Sequence, residues 1–212
     1  MASKLFATPI GKKLGMALTG LMLYGFLVGH LAGNLLLLKE DGGQSFNAYS
    51  DFLTSHPLLV PVELVLLAVF ALHIHLAVSV THDNRRARPD GYQAKTPAVG
   101  GRNLASSSMI YSGLFLLVFV VLHLITFKYG DLGGGNLYDL VINTFKGPMY
   151  AIGYALAMGI MGFHLWHAFQ SAFQTLGLNP LRACKLRILG SALCAVLALG
   201  FAFIPLWFFL AK

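Results

Sequence analysis

Five stretches of the chain are apolar for long enough to cross a lipid bilayer, and polar segments separate them. They run over residues 14–38, 58–80, 106–127, 149–176 and 188–210. Each meets the requirement of about 20 residues for a spanning helix. The first run holds no charge, and the second is interrupted only by Glu63. The pattern predicts an all-α integral membrane bundle of five transmembrane helices, one domain over residues 1–212. Residues 39–57 and 128–148 are predicted loops with turn residues, Asp41-Gly42-Gly43 in one and Gly133-Gly134-Gly135-Asn136 in the other.

Composition agrees with that pattern. The chain is 57% hydrophobic and 11% charged, with a mean hydropathy of +0.70. Soluble domains carry about 25% charged residues. Lys4, Lys12 and Lys13 precede the first run as they would in a signal peptide. That run is too long for a signal core, so it is read as a retained first helix. Charge then sets orientation. Lys4, Lys12, Lys13, Arg85, Arg86, Arg88, Lys95, Arg102, Arg182, Lys185 and Arg187 fall on one side, eleven of the fifteen basic residues. Lys39, Lys128, Lys146 and Lys212 fall on the other, beside Glu40, Asp41, Asp51, Asp131 and Asp139. The positive-inside rule puts the N-terminus in the cytoplasm and the C-terminus outside. The net charge of +7 therefore reports topology, with no nucleic-acid partner implied. The basic run from Arg85 to Arg88 in the inner loop 83–105 serves as a topology anchor, and a second reading makes it a docking surface for a cytoplasmic partner. Cys184 and Cys194 form no CxxC pair, which leaves zinc binding and covalent haem attachment unsupported; they read as buried, inert thiols.

The candidate chemistry lies in histidines. A buried imidazole in a span is costly without a partner and marks a functional site by default. His56, before Pro57, and His82, at the inner end of the second span, read as interfacial. His30, His73, His75, His123, His164 and His167 lie within spans. With a rise of about 1.5 Å per residue, His30 and His123 each lie roughly 26–27 Å from the inner edge. His73 and His164, on helices that run the other way, lie roughly 8 Å from it in a core of about 30 Å. Two matched pairs result, His30 with His123 and His73 with His164. His30 and His73 are 43 residues apart, and His123 and His164 are 41 apart, a spacing that fits two similar helical hairpins.

Two imidazoles at one depth on different helices suit bis-axial ligation of haem iron. A single histidine is equally well explained by a hydrogen bond between helices. Four of them, one on each of four helices and matched in depth, point to two haems. A carboxylate-bridged di-iron site is disfavoured, because Glu63 is the one acid within a predicted span. Gly25, Gly29 and Gly33 on the first helix, and Gly153, Gly159 and Gly162 on the fourth, allow close approach of either a flat macrocycle or another helix. His75 points to a different face from His73. His167 lies one turn from His164 and is placed to reach a haem propionate or the inner interface.

These residues resemble a known family, the cytochrome b membrane anchor of succinate dehydrogenase and fumarate reductase, in the class with one five-helix polypeptide and two haems b. The resemblance covers essentially the whole chain. It rests on Gly29-His30-Leu-Ala-Gly-Asn34, on Leu72-His73 followed by Asn84-Arg-Arg-Ala-Arg-Pro89, on Leu122-His123-Leu124, and on His164-Leu-Trp-His167 with Ser171-Ala-Phe-Gln-Thr-Leu-Gly177. Ala168 departs from it, standing where similar sequences have a glycine. The resemblance implies that His73 and His164 ligate a proximal haem near the cytoplasm and that His30 and His123 ligate a distal one. It also implies a flavoprotein subunit and an iron–sulfur subunit on the inner face, a membrane quinone such as menaquinone as substrate, and a bacterial cytoplasmic membrane. The dicarboxylate site would then sit on another chain. Glu63 has two readings, a proton-exchanging acid beside quinone or an interfacial glutamate, and the second is preferred. By side and sign alone, Lys39, Lys128 and Lys146 are assigned to distal propionates, and Arg102 and Arg182 to proximal ones. Three rivals remain: a fumarate reductase anchor working in reverse, a di-haem cytochrome b of a hydrogenase or formate dehydrogenase, and a haem-free membrane transporter.

Overall fold

The computed structural model describes residues 8–87, 104–178 and 184–211. Within them the chain is helical and contains no strand. Helix α1 covers Pro9–Asn34, and a 3₁₀ turn, Leu35–Leu38, continues it. Then follow α2 (Gln44–Ser55), α3 (Leu59–Ala87), α4 (Leu104–His123) with a π-helical extension at Leu124–Lys128, α5 (Leu137–Phe145), α6 (Pro148–Thr175) and α7 (Cys184–Leu210). Five of these, α1, α3, α4, α6 and α7, are long and apolar enough to span a membrane.

Capping chemistry, more than hydropathy, decides where the spans end. Thr8 caps α1 by accepting a hydrogen bond from the Gly11 N–H at 3.1 Å, and Pro9 occupies the first turn, where its missing donor costs nothing. The helix therefore begins five residues before its apolar run and carries Lys12 and Lys13 within it. Lys12 Nζ donates to Asp83 Oδ2 at 2.6 Å, joining the ends of α1 and α3. Helix α3 extends past residue 80, through His82 and Asp83, to Ala87. At the far end of α6, Gly177 takes φ +85°, and the Leu178 N–H reaches back to the Phe173 carbonyl at 2.9 Å. A left-handed glycine after the last turn is a common helix stop.

The two segments predicted as loops between spans each hold a short helix. Polar, turn-rich sequence concealed them. Asp41 accepts from the Gly43 and Ser45 N–H groups and so starts α2, and Asn136 caps α5 by accepting from Asp139 N–H. Asn47 accepts from the Tyr138 N–H at 3.1 Å, which ties the two short helices together. Phe46, Val141 and Phe145 are buried there with Leu37, forming a cap over one end of the bundle. His56 and His82 are both exposed. Most of the predicted loop 83–105, with Arg88, Lys95 and Arg102, lies outside the described residues, as do Lys4, Arg182 and Lys212.

The spans pack in a defined order. Helix α7 lies along α6, with Gly162 of α6 against Ala198 and Gly190 of α7 against the Phe169 ring. It also touches α1, where Gly200 meets Leu31. Pro205 is buried inside α7, which is tolerated where neighbouring helices shield the backbone. Around the other four spans, α1 packs on α3 and on α6, and α4 packs on α6, while α3 and α4 barely meet. These helices thus form a ring in the order α3, α1, α6, α4, open between its two ends. The diagonals α1 with α4 and α3 with α6 make no extended backbone contact.

Candidate cofactor site

The four candidate histidines stand on these diagonals. His30 on α1 and His123 on α4 turn toward each other, with ring centroids 5.9 Å apart and ring planes at 88°. Phe26 and Phe201 flank His30, and Phe119, Phe127 and Tyr154 surround His123. His123 is the last α-helical residue before the π-helical turn. Such turns re-aim the backbone and recur at functional sites. The Nδ1 atom of His123 is buried and has no hydrogen-bond partner among the described residues. An orphaned buried nitrogen of this kind is uncommon and calls for a ligand, ion or water.

His73 on α3 and His164 on α6 are half-buried and lie within electrostatic reach of one another. Each is held by a hydroxyl. Thr19 Oγ1 lies 3.0 Å from His73 Nδ1, and Ser112 Oγ lies 2.9 Å from His164 Nδ1. Thr19 and Ser112 are the buried polar residues among those described. The following residue is a glycine in both cases. A Cβ on Gly20 would lie 3.2 Å from His73 Cε1, and one on Gly113 would lie 3.5 Å from His164 Cε1. The bare backbone therefore makes room for each imidazole. Thr19 and His30 are eleven residues apart on α1, as are Ser112 and His123 on α4. The two histidine levels are thus separated by roughly 16 Å along both helices.

Thr19 and Ser112 were missed in the sequence. The signal was present as a repeat, Thr19-Gly20 and His30-Leu31 with nine residues between them, then Ser112-Gly113 and His123-Leu124 with nine residues between them. The hairpin correspondence seen in histidine spacing therefore extends to the hydroxyl and the glycine.

The neighbouring histidines differ from these four. His75 is exposed, on another face of α3 from His73. His167 is half-buried one turn beyond His164. The glycines separate into two uses. Gly33 is covered by the Tyr49 ring and Gly162 by Ala198, so both serve packing. Gly25, Gly29, Gly153 and Gly159 have no atom within 4 Å of an added Cβ. Glu63, on α3, is ion-paired with Lys128, and both side chains are partly exposed. Lys39 Nζ donates to Ser45 at 3.1 Å and Lys146 Nζ to Asn143 at 3.4 Å. Cys194 is buried beside the Tyr24 hydroxyl at 3.6 Å.

This donor set fits haem. It offers imidazole alone, in two pairs from helices that face each other across an open ring. One pair has its Nδ1 atoms engaged by hydroxyls, which leaves Nε2 for iron, and the other holds an orphaned ring nitrogen. Open glycine faces on α1 and α6 leave room for a flat ring. No three histidine, cysteine or acidic side chains among the described residues cluster as a metal site would, but bis-axial haem ligation needs only two. Comparison with protein-family models, with characterised proteins and with solved structures gives no match to this chain.

Proposed function

We propose that the chain is the di-haem cytochrome b membrane anchor of a succinate:quinone oxidoreductase, with its N-terminus in the cytoplasm of a bacterium. The observation that carries this reading is the diagonal pairing of four histidines at two levels. His73 and His164 would hold a proximal haem, and His30 and His123 a distal one. Haem iron held in this way supplies reversible one-electron transfer.

The chain's own residues supply the rest. The ring of four spans half-buries the histidine pairs, and the roughly 16 Å between levels would set them in series across the membrane. Lys12, Lys13, Arg85 and Arg86 cluster at the inner ends of α1 and α3, a basic rim suited to an iron–sulfur subunit with its flavoprotein. A membrane quinone, menaquinone in the family resembled, is the substrate at the other end of the chain of carriers. The Lys128 counter-charge on Glu63 supports an interfacial role for that acid more than proton exchange with quinone. The same anchor serves succinate oxidation or fumarate reduction, and the catalytic subunits set the direction.

The test is the optical spectrum and haem content of the purified chain. Two reducible b-type haems per polypeptide are expected. A chain without b-type bands would end this reading and leave the histidines as polar contacts between helices. Co-purification of a flavoprotein and an iron–sulfur protein distinguishes this anchor from a hydrogenase or formate dehydrogenase cytochrome, which would bring a different partner.

A further inference from the structure

The Thr19 hydroxyl has one hydrogen, and that hydrogen is committed. Thr19 Oγ1 donates to the Gly15 carbonyl at 2.8 Å, with the Met16 carbonyl a second acceptor at 3.2 Å. A carbonyl can only accept, so the Thr19 oxygen faces His73 Nδ1 with a lone pair. With the hydroxyl hydrogen on the carbonyl, the contact of 3.0 Å is satisfied when Nδ1 of His73 carries the proton. Ser112 repeats the arrangement. Its hydroxyl donates to the Met109 carbonyl at 3.1 Å and faces His164 Nδ1 at 2.9 Å. A neutral imidazole protonated at Nδ1 keeps its lone pair on Nε2. Both members of the inner pair are thus held in the tautomer that ligates through Nε2, each by a hydroxyl from the other helix of its own hairpin. Among the described residues the outer pair has no such partner, since His123 Nδ1 is orphaned and His30 meets the Asn34 amide at 3.4 Å and beyond.

We propose that Thr19 and Ser112 are positioning residues for the inner histidine pair, fixing the tautomer and ring orientation of His73 and His164 and, through their hydrogen bonds, setting the redox potential of the proximal haem independently of the distal one. This rests on the di-haem reading. The physical basis is general: a hydrogen bond accepted from the far nitrogen of a ligating histidine makes the near nitrogen more basic, and loss of such a partner changes metal affinity by about 10–100-fold. A more basic ligand favours the ferric state, so removing the acceptor raises the potential.

Thr19→Val and Ser112→Ala, in the full chain purified with its haems, test the proposal by potentiometric titration and haem content. The proximal component is first identified as the one missing from His73→Ala. A tenfold loss of ferric preference, about 60 mV upward for a one-electron couple, is expected at the proximal haem in each variant, with the distal haem unmoved. Thr19→Ser and Ser112→Thr restore the original potential, because each keeps the acceptor. In apoprotein labelled with ¹⁵N-histidine, His73 shifts from the Nδ1–H toward the Nε2–H form in Thr19→Val. If the wild-type chain holds two haems and both potentials stay the same in Thr19→Val and Ser112→Ala, the proposal is overturned while the di-haem reading stands. A variant that loses both haems and is not rescued by the conservative hydroxyl swap marks a packing role, which also overturns it. A wild-type chain without haem ends the reading beneath it.

Discussion

Replacing His73 and His75 separately by alanine discriminates sharply, because the two lie only two residues apart on α3. His73 is half-buried and hydrogen-bonded to a hydroxyl that has almost no solvent access; Thr19 is 6% exposed. In His73→Ala the Thr19 oxygen loses its donor in a place water does not readily reach, which costs about 1–3 kcal/mol. The lost ring also leaves a gap beside the bare Gly20 backbone, so the upper part of that range is expected. His75 is exposed. Alanine there falls in the class of surface changes worth within about 0.5 kcal/mol. Haem content follows the same division: one haem per chain in His73→Ala and two in His75→Ala. Pyridine haemochrome assay against protein concentration gives the stoichiometry, and thermal unfolding in one detergent gives the ranking. Loss of a haem in His75→Ala with both retained in His73→Ala would refute the assignment within α3. Equal destabilisation by the two substitutions would refute the part of the reasoning that rests on the Thr19 contact.

Four further outcomes follow from particular contacts. Gly162→Ala pushes a Cβ to 2.6 Å from Ala198 and is expected to destabilise the α6–α7 contact by about 1–3 kcal/mol, whereas Gly29→Ala meets open space and leaves apoprotein stability within about 1 kcal/mol; thermal melts of apoprotein compare the two. The partly exposed Glu63–Lys128 pair is expected to show a coupling of at most about 1 kcal/mol in a Glu63→Gln/Lys128→Met double-mutant cycle, shrinking as salt is added. His164→Ala removes one haem and His167→Ala keeps both, since Ser112 anchors only the former; haem stoichiometry decides it. Hydrogen bonds from Ser45, joined by the Gly43 N–H and the Lys39 charge, hold the Asp41 carboxyl below its ordinary range. A depressed carboxylate contributes stability that is present above its unfolded value and is lost as pH falls through the folded one. Amide exchange over residues 43–50 should therefore accelerate only at acidic pH, and Asp41→Asn should remove that pH dependence.

The five spans were legible because a bilayer imposes one strong demand, an unbroken apolar length, and the chain meets it five times. The ends of the helices were not, because Thr8 and Pro9 act through local cap geometry and Lys12–Asp83 through a contact between helices, neither of which hydropathy registers. The short helices α2 and α5 escaped for a related reason: nine to twelve residues of mixed character read as loop until Asp41 is seen to accept from the Gly43 and Ser45 N–H groups and Asn136 to cap α5. Within the site, the pairing of His30 with His123 could be read from depth alone, since α1 and α4 run the same way. Thr19 and Ser112 could not be singled out by residue type, because hydroxyls in apolar helices usually bond back to their own backbone, as Thr81 and Thr126 do here. What distinguishes them is repetition at equal spacing from His30 and His123. That repetition also explains the architecture. Each hydroxyl–imidazole bond joins the two spans of one hairpin, Thr19 with His73 and Ser112 with His164. Each histidine pair joins one hairpin to the other. The hairpins meet through the α1–α6 contact, while α3 and α4 barely touch. A group ligated across both diagonals would therefore tie α3 and α4 into the bundle, and the chain with its proposed haems should resist unfolding and proteolysis between α3 and α4 better than the chain without them.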